Sequence, residues 1–286
     1  MKLPSYGDLP AGYDLVGSSR YLLLPVPYDA TSTWLKGAAQ GPEALLEAST
    51  HMELYDIETR TEVYRQGIHT ALPPDVRHAP PEEMVRRVQE ETGKWLDQGK
   101  TVVTVGGEHS VAIGAFYAHA ERSPGLSVLQ LDAHADMRET YEGSRYNHAC
   151  VAARMSEKAP LTQVGIRSMD RSEEKKMDPK RTFFACELDQ HPDWMEKVVE
   201  TLGPDVYITL DLDVLDPAVM PSTGTPEPGG LDWYILLQLL KKVFSHRNVV
   251  GFDLCELAPL PEHKAPDFLA AKLLYKMLTY HHLYHP

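Results

Sequence analysis

Three short segments of this 286-residue chain carry the side chains best suited to chemistry: Gly106-Gly107-Glu108-His109-Ser110, Leu131-Asp132-Ala133-His134-Ala135-Asp136, and Leu210-Asp211-Leu212-Asp213-Val214-Leu215-Asp216-Pro217. His109, Asp132, His134, Asp136, Asp211 and Asp213 together offer four carboxylates and two imidazoles. Carboxylates seldom enter an apolar interior unless they are paired or bound to metal. Four aspartates balance the charge of two divalent ions, and mixed oxygen and nitrogen ligation without a nearby cysteine suits Mn, Fe, Co or Zn. Asp132 and His134 are two residues apart, as are Asp211 and Asp213. In extended backbone that spacing puts both side chains on one face, so one aspartate from each segment can bridge two ions. Such ions, about 3.5–4 Å apart, share an activated water. The pattern predicts a two-metal hydrolytic site.

Each segment follows an apolar run that reads as a buried parallel strand, over residues 101–105, 126–131 and 206–210. Further strands are predicted at 21–27, 162–167, 182–186 and 249–253, and helices at 81–98, 110–121, 194–202, 232–244 and 267–280. Alternating strands and helices imply an α/β fold with a parallel sheet covered on both faces. In such folds ligands gather at the carboxyl ends of strands, where all three segments lie. The proline-rich stretches near 73–81 and 217–228 read as loops. With no internal repeat or low-complexity linker, one domain over residues 1–286 is expected.

Bulk properties narrow the partners. The formal charge is −13 and the isoelectric point near 5.4, which disfavours nucleic acid and anionic membrane and fits a small cationic substrate. Cys150, Cys186 and Cys255 form no disulfide framework, which suggests a reducing cytoplasm. The opening Met1-Lys2-Leu3-Pro4-Ser5-Tyr6 has no apolar signal core, and no stretch is apolar enough to span a bilayer.

Simpler roles compete for several residues. His109 could cap the helix that starts at Ser110, though this leaves the other five candidates unexplained. Asp216, before Pro217, is expected to organise its turn, Cys255 to pack in the core, and Gly229-Gly230 to make a turn. Glu256 could form a structural salt bridge, and His148 could be an ordinary loop histidine. His281, His282 and His285 read as a frayed polar helix end rather than a metal tract.

The motifs resemble the ureohydrolase family of arginases and agmatinases. The likeness takes in Val26-Pro27-Tyr28-Asp29, Gly41-Pro42, the three acidic segments, Val164-Gly165-Ile166-Arg167-Ser168, and Thr223-Gly224-Thr225-Pro226-Glu227-Pro228-Gly229-Gly230. It implies a three-layer αβα arginase-like fold with a mostly parallel sheet, two Mn ions per chain, and a homotrimer or homohexamer. His109 and Asp136 would bind one ion, His134 and Asp213 the other, with Asp132 and Asp211 shared. Asp136 would also handle the proton of the attacking hydroxide, His148 would relay protons with solvent, and Glu256 would pair with the guanidinium through two parallel hydrogen bonds.

Agmatine, cleaved to putrescine and urea in polyamine synthesis, is the leading substrate. Aminopropylagmatine, guanidinobutyrate, guanidine and arginine are alternatives, and a non-catalytic binder of guanidino metabolites is the alternative from another class. Arg138 stands where arginases place an Asn that reads the amino-acid end, which argues against free arginine. Its guanidinium is expected to face solvent, and Glu227 to favour a positively charged tail. Glu108 stands where the family often has Asp, and Gly37-Ala38-Ala39-Gln40-Gly41-Pro42 lacks an arginine common in that loop. Specificity is expected from the loops at 29–41, 138–147 and 169–180.

Overall fold

The computed structural model of the chain describes residues 3–285; Met1 and Lys2, part of the opening read above for a signal core, lie outside the described residues, as does Pro286. Among the described residues, eight strands form one sheet: β1 Tyr21–Val26, β2 Ile68–Thr70, β3 Thr101–Gly106, β4 Ser127–Leu131, β5 Leu161–Ile166, β6 Thr182–Phe184, β7 Asp205–Asp211 and β8 Asn248–Cys255. Their order is β2-β1-β3-β8-β7-β4-β5-β6, and every pairing is parallel. The helices are α1 Gly41–Ser49, α2 Pro81–Leu96, α3 Val111–Ala120, α4 Val151–Ser156, α5 Ala185–Leu188, α6 Trp194–Thr201, α7 Trp233–His246 and α8 Ala265–Tyr284.

The two-residue period of a strand divides the core into two layers. In β1, Tyr21 and Leu23 join one apolar cluster with residues of α1, α6, α7 and α8. Leu22, Leu24 and Val26 join the other, with residues of α2, α3 and α4. The result is the expected arginase-like αβα sandwich. Local sequence supports its helices. Pro81 opens α2, Glu82 and Glu83 lie in its first turn and Lys94 in its last, while Met84, Val85 and Val88 are buried. The Asp232 side chain caps α7 by accepting the Ile235 N–H.

Differences from the expected elements are local. β2 is a three-residue edge strand, too short to show a periodic pattern, and α1 and α4 lie outside the predicted elements. The expected strand at 182–186 stops at Phe184 and turns into α5. The frayed helix end is a correction. α8 continues to Tyr284, and His281 is buried against Tyr21, Phe244 and Phe252. Its Nδ1 lies 3.1 Å from the Tyr21 hydroxyl, so packing against β1 and α7 orders this turn. Among the described residues, no helix is long and apolar enough to cross a membrane.

Candidate metal centre and active site

Four adjacent central strands, β3, β8, β7 and β4, end at one cavity. At or just beyond their carboxyl ends lie His109, Glu256, Asp211 with Asp213, and the 132–136 segment. Gly107 permits the turn out of β3: a Cβ there would lie 2.1 Å from the Tyr28 carbonyl oxygen. Asp136 and Glu256 hold left-handed backbone, with φ of 52° and 70°. Such conformations are unusual for non-glycine residues and concentrate at functional sites.

The structure brings all six candidates together. His109 Nδ1 lies 3.1 Å from Asp132 Oδ2, 3.2 Å from Asp136 Oδ2 and 3.4 Å from Asp211 Oδ2. His134 Nδ1 lies 2.8 Å from Asp213 Oδ2 and 3.7 Å from Asp132 Oδ1. Asp132 thus faces both groups, whereas Asp211 stands with His109. Asp211 and Asp213 do not share a face through extended backbone, a correction to the expectation from their spacing. The chain turns into a short 3-10 segment at Leu212–Val214, and Asp211 Oδ1 accepts the Asp213 N–H at 2.8 Å. Likewise Asp132 Oδ1 accepts the His134 N–H at 2.6 Å. These bonds, rather than extended backbone, aim each pair.

Hydrogen bonding settles which nitrogen of His109 is free. The Thr209 hydroxyl donates to Asp253 Oδ1 at 2.9 Å, and the Tyr207 hydroxyl donates to Asp253 Oδ2 at 2.8 Å. With its proton committed, Thr209 Oγ1 accepts from His109 Nε2–H at 2.8 Å. In its neutral form His109 presents the Nδ1 lone pair to three carboxylates, with no hydrogen-bond partner at Nδ1 among the described residues; without cations, burial opposes a charge on this imidazole but Asp132 and Asp136 raise it well above its ordinary value. Lone pairs converging in a buried site repel unless a cation stands among them. Separations near 3.1 Å suit two ligand atoms each about 2.1 Å from a common ion. The donor set fits divalent metal.

The charge state of each group leads to the same requirement. Without cations, burial and then the Asp132 charge push Asp136 up to about 7. Burial, Asp213 and Asp132 push Asp211 well above its ordinary value. Burial opposes a charge on His134, but Asp213 and Asp132 outweigh it and raise that imidazole to about 12. Without cations, protons would have to take the place of metal in the cluster.

The cavity above the cluster has a volume of about 300 Å³; His148, Glu256, Arg138, Tyr141, Asp170 and Glu173 are among its lining residues. Glu256 makes no salt bridge among the described residues; its Oε1 accepts the His109 N–H at 2.7 Å, leaving Oε2 open. Burial, then Glu108, raise its carboxyl to about 8. His148 differs from the expected near-neutral titration, because burial, with His134 and His109 nearby, lowers it to about 4. At neutral pH it is an uncharged proton acceptor.

Two expectations about the cavity wall are corrected. Arg138 does not extend into solvent: its guanidinium stacks 4.3 Å from the Tyr141 ring centre and Nε lies 3.7 Å from Glu173 Oε2. From the Thr-Pro-Glu-Pro segment, Thr225 lines the cavity and Glu227 does not. Instead the Glu227 carbonyl accepts Arg167 Nη2 at 2.8 Å, and the same nitrogen donates to the Asp213 carbonyl at 2.6 Å. Asp216 organises its turn as expected, accepting the N–H groups of Ala218, Gly229 and Gly230.

Sequence reasoning missed the polar layer beneath the cluster: Thr209, Asp253, Gln130 and Gln163. Gln130 Nε2 donates to Asp132 Oδ2 at 2.7 Å, and Gln163 Nε2 donates to Gln130 Oε1 at 2.8 Å. The available signal was a polar residue at a fully buried position inside an apolar strand.

Comparison with known proteins joins this geometry to a family. The model described as "Arginase family" matches residues 19–279. The chain belongs to the arginase family. It is 40% identical over 274 residues to an N(1)-aminopropylagmatine ureohydrolase of Thermus thermophilus, covering 94% of this chain and 92% of that one. It is 30% identical over 265 residues to an agmatinase of Pyrococcus horikoshii, covering 90% of each. The solved agmatine ureohydrolase of Thermoplasma volcanium superposes with a TM-score of 0.86 at 29% identity, covering 100% of this chain and 96% of that one. The chain is thus a ureohydrolase of this family.

Proposed function

We propose that the chain hydrolyses the guanidino group of an amine-tailed substrate, N(1)-aminopropylagmatine, to urea and a primary amine. The charge of the cavity wall carries the amine-tail reading. Outside the six cluster residues, Arg138 contributes one positive charge against three carboxylates, Asp170, Glu173 and Glu256. With cations bound and Glu256 ionised, the two excess negative charges favour a cationic amine tail: they equal the guanidinium plus terminal ammonium of agmatine, and fall one short of aminopropylagmatine, which adds a secondary ammonium. Arg138 is turned toward Glu173 and Tyr141, which leaves it less able to attract a carboxylate tail. The relative at 40% identity, named for aminopropylagmatine, supports the longer substrate. Agmatine is the second reading, supported by the agmatinase relative.

His109, Asp132, His134, Asp136, Asp211 and Asp213 would hold two divalent ions, with manganese the expected pair. When bound, such ions supply a water that is nucleophilic near neutral pH. Glu256 orients the guanidinium through Oε2, a charge-assisted hydrogen bond. Asp136 takes the proton of the attacking water and carries it to the departing nitrogen. His148, neutral at pH 7, accepts protons from the site and exchanges them with solvent. The balance is one guanidinium and one water giving one urea and one alkylammonium. One domain over residues 1–286, a cytoplasmic location and a homotrimer or homohexamer belong to the same reading.

The test is the specificity constant for urea release from aminopropylagmatine, agmatine, guanidinobutyrate and arginine. The expected order places aminopropylagmatine first and agmatine second. Loss of one hydrogen bond to a charged group costs about 1.5–3 kcal/mol, so arginine should trail by roughly one to two decades. A preference for guanidinobutyrate would overturn the amine-tail reading.

A further inference from the structure

Glu108 is fully buried beside His109, yet the steps above do not use it. Its carboxylate gathers five donors. Oε2 accepts the N–H of Thr31 at 2.7 Å, the N–H of Ser32 at 2.9 Å and the Ser32 hydroxyl at 3.2 Å. Oε1 accepts the hydroxyls of Thr31 and Ser110. Among the described residues no Lys, Arg or His pairs with it; burial raises its carboxyl above the ordinary range, while these five donors favour the ionised form, which can only accept.

Thr31 carries this arrangement to His148. Its Oγ1 accepts the His148 backbone N–H at 3.0 Å and lies 3.3 Å from His148 Nδ1. A hydroxyl has one proton, and that of Thr31 is committed to Glu108. The contact with Nδ1 is therefore a hydrogen bond only when Nδ1 is the donor. Tyr141 packs edge-on against the imidazole, with ring centres 6.1 Å apart, and limits its rotation. Nε2 makes no hydrogen bond to protein among the described residues.

We propose that Glu108 and Thr31 are positioning residues that hold His148 in the Nδ1–H tautomer, so that Nε2 presents its lone pair to the cavity as the proton acceptor. The inference rests on the proton-transfer role given to His148 above. The arrangement is a carboxylate, a hydroxyl and an imidazole in series, in which the carboxylate orients the base without touching substrate. A second role follows for the loop after β1: it ties the residue beside the His109 ligand to the acceptor across the cavity.

The experiment combines kinetics with spectroscopy. Thr31→Val keeps the shape and removes the hydroxyl, whereas Thr31→Ser retains it. In metal-reconstituted enzyme, Thr31→Val should lower kcat roughly 10- to 100-fold, at or below the lower end of a full acid–base contribution. KM and metal content should stay near those of the unmodified chain, and Thr31→Ser should restore kcat to within about 3-fold. Ring-nitrogen NMR of 15N-histidine-labelled protein, loaded with a diamagnetic divalent ion, should show His148 protonated at Nδ1, with the signal assigned by its loss in His148→Asn. Full kcat in Thr31→Val, or equal impairment of the Ser and Val variants at equal metal content, would overturn the proposal. Protonation of His148 at Nε2 in the unmodified chain would do so independently of any variant's folding. Failure of every guanidine to yield urea would refute the proposed function while leaving the NMR result to decide the tautomer.

Discussion

Stripping the divalent ions should make this protein lose stability as pH rises from 5 to 8. Asp136 is 7% exposed and, without cations, is held at about 7 instead of 3.8. A group whose native value is raised binds its proton more tightly in the folded state. Its stabilisation is complete below the unfolded value and disappears as pH rises through the native one. For Asp136 that window runs from 3.8 to about 7, and the full loss is about 4 kcal/mol. His134, raised from 6.5 to about 12, has the same sign and carries the decline above neutrality. Asp132, whose value burial opposes but His109 and His134 lower, acts oppositely and loses stability only as pH falls below its unfolded 3.8. These groups share protons, so their effects do not add; Asp136 alone loses about 2–3 kcal/mol between pH 5 and 7. At roughly 2 °C of Tm per kcal/mol for a chain of this size, the decline should be about 5 °C. Bound metal replaces those protons and removes the penalty. The assay is thermal unfolding of dialysed metal-free and reconstituted protein across pH 5–8, read as the gap between the two so that distant groups cancel. A gap that stays constant or narrows with rising pH would refute the placement of the carboxylates.

Other substitutions separate the parts of the site. Thr209→Val removes the acceptor for His109 Nε2–H; metal titration should show affinity reduced roughly 10- to 100-fold, the usual effect of losing such support. Glu256→Gln should retain both ions by elemental analysis and lower kcat/KM by one to two decades, because a charge-assisted bond worth about 1.5–3 kcal/mol is weakened. Gly107→Ala would press a Cβ to 2.1 Å from the Tyr28 carbonyl; denaturant unfolding should show a loss of about 1–3 kcal/mol or more.

The centre of the fold was legible because β3, β4 and β7 are apolar runs broken abruptly by acids and histidines. Their order in the sheet is a non-local property, but strand ends in a parallel sheet share one edge, so the cluster could be foreseen without it. What escaped was set by tertiary contact. Asp211 and Asp213 share a site through a side-chain-to-backbone turn that residue spacing does not encode. Arg138 is turned by Tyr141 and Glu173, the latter 35 residues away in sequence. His281 is ordered by Tyr21, at the opposite end of the chain. The buried Thr209–Asp253 support joins neighbouring strands β7 and β8, so neither residue signals its role alone.

Binding of two divalent ions by six residues on adjoining strand ends underlies the proposed guanidine hydrolysis. It is tested most directly by adding manganese stepwise to rigorously stripped protein and measuring bound metal and urea released from aminopropylagmatine. No urea is expected without metal, and activity should rise to a plateau at two ions per chain. Full activity in the stripped protein, or a plateau at a single ion, would contradict it.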